Sequence, residues 1–176
     1  MPTPEKTSLS AIVAAGRDIL ESGGPDRLTM QGVATRVGVR APSLYKHVRD
    51  RAGLLSAVAG AIVDGLIERL AATDGSFEEL ISAYRDYARE NPEGFRLVML
   101  AAHAPLESLE RAVLPILDAT RRLVGEEAAL DAARLVTSWA TGFIQMELTG
   151  AFRLGGDVDQ AFAYGLAHMR RALADA

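Results

Sequence analysis

The chain has 176 residues, 49% hydrophobic and 24% charged, which fits a soluble globular protein and excludes a disordered or fibrous one. It contains no cysteine, so disulfides, thiolate metal sites and cysteine nucleophiles are excluded. Net charge is −4, yet residues 1–55 hold eight Lys/Arg against five acids, a local +3, which leaves −7 for the remainder. A basic head on an acidic body suits a partner that needs local phosphate neutralisation, although an asymmetry this small also arises by chance. No apolar run reaches the roughly 18 residues of a membrane span. Met1-Pro2-Thr3-Pro4-Glu5-Lys6 lacks the basic start and apolar stretch of a signal peptide. A cytoplasmic protein with no membrane partner is the expectation.

Every long segment reads as helix, and none shows sustained period-two alternation. Ile12, Ala15, Ile19 and Leu20 share one face of a helix over 8–21, ended by Gly23-Gly24-Pro25. Thr29 is a good N-cap for a short helix to about 37, which Gly38 breaks. Another short helix opens at Pro42, where proline suits a first turn whose N–H would be unpaired, and ends near 48. Asp50 can cap a longer helix to about 70, with Leu54, Leu55, Val58, Ile62, Leu66 and Leu70 as its apolar stripe. After Thr73-Asp74-Gly75-Ser76 come helices over 77–90, 92–103, 106–124, 126–149 and 158–174. Their separators are Asn91-Pro92, Ala104-Pro105, Gly125 and Gly155-Gly156-Asp157. The expected fold is all-α with about nine helices: a three-helix helix-turn-helix domain over 1–55 joined to a helical bundle over 56–176.

The two short helices joined through Gly38-Val39 match a helix-turn-helix. Val33, Ala34 and Val37 face inward from the first, and Leu44 and Val48 from the second. Ala34 is small where the helices cross, and Gly38 can take positive φ without steric cost. Pointing outward from the second helix are Arg40, Ala41, Ser43, Lys46 and His47, with Tyr45 at the edge. That set is rich in donors, and the helix N-terminus adds backbone N–H groups and a positive dipole suited to a phosphate. By this geometry Arg40 and Lys46 bind phosphate, or Arg40 reads guanine. Spacing alone fits a small helical hairpin with an ordinary solvated face equally well, and an exposed helix-end histidine such as His47 is usually plain surface.

The pattern Gly38-Val39-x-x-Pro42-Ser43-Leu44-Tyr45-x-His47-Val48-x-x-Arg51-x-x-Leu54-Leu55, with Thr29 and Ala34 before it, resembles the DNA-binding module of the TetR family of bacterial transcriptional regulators. The resemblance spans about residues 8–60. The run from Ala41 to Val48 is most similar to the tetracycline-repressor branch; many other members have Gly at the position of Pro42 and Phe at that of Val48. The resemblance implies double-stranded operator DNA as partner. It implies that Thr29 caps its helix and touches phosphate, and that Gln31 reaches a base edge, where a glutamine amide can bond adenine bidentately. Ala41, Pro42 and Ser43 would enter the major groove, Tyr45 and His47 would bind phosphate, and Arg51 would be the basic position opening the fourth helix. Ala41 departs from the family, which often places a polar reader there.

The stretch from Ser138-Trp139 through Thr141-Gly142-Phe143 to Phe162 is similar to the C-terminal body of one TetR subgroup, with Thr141-Gly142 where that subgroup often has His-Gly. In the family this body is a helical bundle that binds a small effector and dimerises through its last two helices. Trp139, Phe143 and Met146 fall at i, i+4 and i+7; Tyr84, Tyr87, Phe95, Met99 and His103 supply further large side chains on neighbouring helices. The candidate ligand set for a small apolar effector is therefore Tyr84, Phe95, Met99, His103, Trp139, Phe143 and Met146. Such stripes are more often plain core, and His103, just before Ala104-Pro105, also reads as a satisfied helix-end histidine. Helices 126–149 and 158–174 are the expected homodimer contact, with His168 in it; Ala128, Ala129, Ala132 and Ala133 permit close approach there or pack internally. Two-fold symmetry would place half-sites of a palindromic operator about 34–36 Å apart.

No Gly-x-Ser-x-Gly, His-Glu-x-x-His, Walker or Rossmann pattern is present, and His47, His103 and His168 fall on separate predicted helices. No enzyme, metal site or cofactor is expected. A helical binding protein that had lost DNA binding would lack the basic and hydroxyl residues seen in the second short helix. The resemblance thus implies a DNA-binding transcriptional regulator, a ligand-responsive repressor acting on a palindromic operator as a homodimer.

Overall fold

The computed structural model describes residues 7–99 and 104–175. Among them are eight α-helices and no strand: α1 (Leu9–Gly23), α2 (Met30–Arg36), α3 (Ala41–Leu44), α4 (Arg51–Ala71), α5 (Phe77–Glu90), α6 (Pro92–Met99), α7 (Leu106–Leu148) and α8 (Val158–Ala174). A 3-10 turn, Pro25–Arg27, joins α1 to α2. Helix resumes on both sides of Gly125 (φ 80°, ψ 175°) without an intervening loop, so two expected helices form one bent α7 and nine becomes eight.

Side-chain caps fix the helix starts. Ser8 Oγ accepts from Ala11 N at 3.2 Å, Thr29 Oγ1 from Gly32 N at 3.0 Å, and Asp50 Oδ1 from Gly53 N at 2.8 Å. Asp157 Oδ1 accepts from Asp159 N and Gln160 N at 2.8 and 3.2 Å. Each bond satisfies an N–H that has no partner within its helix. Gly38 adopts φ 73°, the left-handed region that a tight turn between α2 and α3 requires. The helix expected to run to about 48 stops at Leu44; His47 N and Val48 N both return to Leu44 O at 2.9 Å, closing α3 with a turn.

The chain divides into two compact units, each assembled from two stretches. The first lies within Met1–Gly65 and Asn91–Leu109, the second within Leu66–Glu90 and Glu110–Ala176. The division is discontinuous, where the sequence suggests a linear boundary at 55/56. In the first unit Ile12, Leu20, Leu28, Val33, Ala34, Leu44, Leu54 and Val58 are wholly shielded from solvent. Burial of each large aliphatic side chain stabilises by about 1.5–3 kcal/mol. Close crossing of α1 on α4 requires Gly16, since a Cβ there would lie 2.7 Å from Val58 Cγ2.

The second unit has its own core, in which Phe77, Leu80 and Ile81 of α5 meet Ala132, Val136 and Ala140 of α7 and Phe162 and Leu166 of α8. Ala129, Ala132 and Ala133 are buried inside this unit, while Ala128 is exposed. Internal packing is thus where three of these four alanines go.

Candidate nucleic-acid interface

The α2–α3 pair is built from the inside. Val33 and Ala34 are buried on α2 and Leu44 on α3, with Val48 just beyond, and the turn is closed by Val39 N donating to Ala34 O at 2.9 Å. Val37 is half-buried. What this packing leaves outside is Gln31 and Thr35 on α2, then Arg40, Pro42, Tyr45 and Lys46 exposed around α3, with Ala41, Ser43 and His47 half-buried. Among the described residues, the side chains of Arg40, Tyr45, Lys46 and His47 have no hydrogen-bond or ion-pair partner. Donors that the fold itself leaves open are those a phosphate or base edge can take.

Other members of the expected set carry local work as well. Thr29 Oγ1 accepts from Gly32 N, which leaves its hydroxyl hydrogen to donate outward. Gln31 Nε2 donates to Thr35 Oγ1 at 3.5 Å, and Thr35 Oγ1 donates to Gln31 O at 3.0 Å. Arg51 is tied inward: Nε donates to Leu28 O at 2.9 Å and Nη2 to Pro25 O at 2.7 Å, stitching the start of α4 to the turn before α2. Its remaining N–H groups stay open on an exposed side chain. Nothing in the sequence marks this role, because both partners are backbone carbonyls. Arg49, which sequence reasoning passed over, has a side chain 94% exposed with only Asp50 nearby, at 3.6 Å. Arg36, by contrast, is engaged by Asp18 at 2.8 Å.

The residues expected to line an effector pocket divide between the two units. Tyr84, Trp139, Phe143 and Met146 lie in the second unit, Phe95 and Met99 in the first, and His103 lies outside the described residues. Trp139 stacks on Phe162 with ring centroids 5.3 Å apart, and Phe143 meets Trp139, Phe162 and Phe152 at 6.0, 5.2 and 4.8 Å. Met146 stands apart from this cluster, exposed on α7. Tyr84 bonds Thr141 Oγ1 at 3.0 Å through its hydroxyl; burial pushes the phenol above its ordinary pKa, and the Thr141 bond opposes that.

Arg85 is another residue that sequence reasoning missed. The residue is 6% exposed, and its guanidinium lies over the Phe162 ring at 4.5 Å. It donates to both Glu147 oxygens, at 2.8 and 2.7 Å, and pairs with Asp159 at 2.7 Å. The Glu147 hydrogen bonds first, with further support from Asp159, hold the guanidinium above its already high pKa against the cost of burial. The signal was available: Arg85 falls on the stripe of Phe77, Ile81 and Ala88, a cation at a core position.

Among the described residues no three His, Cys, Asp or Glu side chains gather as a metal site would need, and no helix is long and apolar enough to cross a membrane. A helix-turn-helix presenting open cations and hydroxyls on an all-helical chain defines a DNA-binding transcription regulator. Residues 12–58 match the model of bacterial regulatory proteins, tetR family, and residues 77–169 match the tetracyclin repressor-like, C-terminal domain. The chain belongs to the TetR family. It is 30% identical to the class A tetracycline repressor protein from transposon 1721 of Escherichia coli, over 97% of this chain and 81% of that one. It is also 30% identical to an uncharacterized HTH-type transcriptional regulator of Mycobacterium tuberculosis, over 84% of this chain and 73% of that one. A crystal structure of BioQ with its natural double-stranded DNA operator superposes with a TM-score of 0.70 at 26% identity, covering 96% of this chain and 98% of that one.

Proposed function

We propose that this regulator is a ligand-responsive repressor that binds a palindromic operator as a homodimer in the cytoplasm. Residues 1–55 would hold the DNA-contacting side chains, and 56–176 the effector and dimer functions. The observation that carries the reading is the set of open donors at Arg40, Tyr45, Lys46 and His47 around Ala41, Pro42 and Ser43, the residues it would send into the groove. BioQ supports it as a relative solved on its operator, and the tetracycline repressor supports the repressing sign.

The dimer reading draws on two unpartnered helix faces in the second unit. On α7, Leu135 and Met146 are exposed around Gly142, where a Cβ would meet open space. On α8, Tyr164 is 66% exposed and stacked on His168 at 3.8 Å, with Ala161 and Ala172 exposed beside them. This exposed strip of α8 opens with Asp157 and ends with Arg171, so two antiparallel copies would bring opposite charges together. The effector is a small apolar molecule that favours a state whose two reading elements are wrongly spaced, and so releases DNA by differential affinity.

The test is selection of operators from a random DNA pool, followed by binding titrations over a range of salt. Tyr45→Phe with Lys46→Ala should weaken binding to every sequence and lower the salt slope by about 1 for the lost lysine contact. Absence of any sequence-specific affinity at moderate salt would sink the reading. Small apolar compounds screened for DNA release then address the effector; a ligand that binds without changing operator affinity counts against derepression.

A further inference from the structure

The DNA-binding unit contains a joint far from the helix-turn-helix in sequence. Glu21, near the end of α1, turns its carboxylate to the first turn of α6: Oε2 accepts from Glu93 N at 3.1 Å and Oε1 from Gly94 N at 2.7 Å. These are two of the N–H groups that a helix start leaves without a partner, and a negative charge there is favoured by the helix dipole. Helix caps ordinarily come from the residue just before the helix, whereas this one reaches across more than seventy positions of chain. Gly94 is shaped to the contact. A Cβ at this position would lie 2.9 Å from Glu21 Oε1 and 3.0 Å from Ile62 Cδ1 of α4.

Helix α1 in turn seats the reading element. Asp18 pairs with Arg36 at the end of α2, Ile19 Cδ1 lies 3.8 Å from where a Cβ on Gly32 of α2 would stand, and Gly16 admits α4. A shift of α1 is therefore felt at α2 and α3. Given that α2 and α3 contact DNA as proposed above, we infer that Glu21 is a positioning residue for operator recognition. Its carboxylate registers α6 on α1, and through α1 it sets the placement of α2 and α3 without touching DNA itself. Glutamine at this position has one acceptor oxygen and one NH2 group, so one of the two α6 N–H groups would face a donor.

The experiment uses the full chain and an operator that the unmutated protein has selected from random DNA. Glu21→Gln and Gly94→Ala, two separate injuries to one joint, should each lower operator affinity on the order of tenfold. The salt slope and the affinity for unselected DNA should stay unchanged, because no phosphate contact is removed. Backbone hydrogen exchange gives a readout that needs no variant: operator binding should slow exchange at the Glu93 and Gly94 amides of the unmutated protein, by reciprocity of coupling. Equal operator affinity in Glu21→Gln, or exchange at Gly94 that ignores the operator, overturns this inference alone. A pool that yields no operator overturns the DNA reading itself, and this inference with it, before any variant is made.

Discussion

Cations chosen from the two compact units show two opposite treatments. In the first, Arg40 and Lys46 have no partner among the described residues, and Arg49 has one weak neighbour. In the second, Arg85 is buried between Glu147, Asp159 and the Phe162 ring, Arg89 shares the same two carboxylates, and Arg170 pairs with Glu78 at 2.6 Å. A buried cation must be matched inside the fold, because its desolvation has no other compensation. A cation that is to take an outside anion must keep some of its N–H groups open. The same residue type thus marks structure where its hydrogen-bonding capacity is filled and recognition where it is left open, and net charge alone distinguishes neither.

The strongest way to break that contrast is Arg85→Met. It leaves Glu147, whose side chain is only 16% exposed, without its main partner. A loss of about 3–5 kcal/mol is expected from removing one member of a buried pair, read by urea unfolding of the full chain. A loss under about 1 kcal/mol would mean that the cluster behaves like a surface pair. Thr29 sharpens the contrast within the first unit, since its oxygen is occupied and its hydroxyl hydrogen is open. Thr29→Ala should cost about 1 kcal/mol of stability through the lost cap. Thr29→Asp should keep the cap and the stability, yet weaken operator binding by facing phosphate with a negative charge. If both substitutions left DNA affinity intact, Thr29 would be a cap and nothing more.

Tyr84 supplies the smallest expected effect, and it depends on pH. Burial raises its folded pKa above the unfolded value of about 10. Its contribution is therefore complete below about pH 10, where both states hold the proton, and is lost as pH climbs toward the raised folded value. Tyr84→Phe should cost roughly 1 kcal/mol at neutral pH for the Thr141 bond and flatten the alkaline limb of the stability curve. An unchanged alkaline limb, measured by unfolding titrations, would show that another group dominates it.

Helix starts and turns were the most legible part of the sequence, because each depends on a residue and its immediate neighbours. Thr29, Gly38, Asp50 and the 158–174 helix are where local chemistry places them. Long-range matters were not legible in the same way. Periodicity marks Phe95 as buried but not which unit covers it; it lies in the first unit, and Trp139 and Phe143 lie in the second. Met146 shares a helical face with Trp139 on paper, seven positions on, and yet is exposed. The Glu21 cap and the inward bonds of Arg51 went unmarked for a common reason: both join backbone groups, and backbone groups carry no sequence signature.

That the first unit is assembled from two stretches of chain has a consequence for how the protein is made. A nascent chain emerges N-terminus first, and many domains complete themselves as soon as their last residue is free. Here the seat for α6 on α1, with its Glu21 carboxylate and the space that Gly94 fills, cannot be occupied until residues beyond 90 have been synthesised. During that interval α1 to α4 would expose part of a core meant to be covered, and closure must await a contact of long sequence separation, which folds slowly. The unit that carries α2 and α3 is therefore unfinished until α6 has been made.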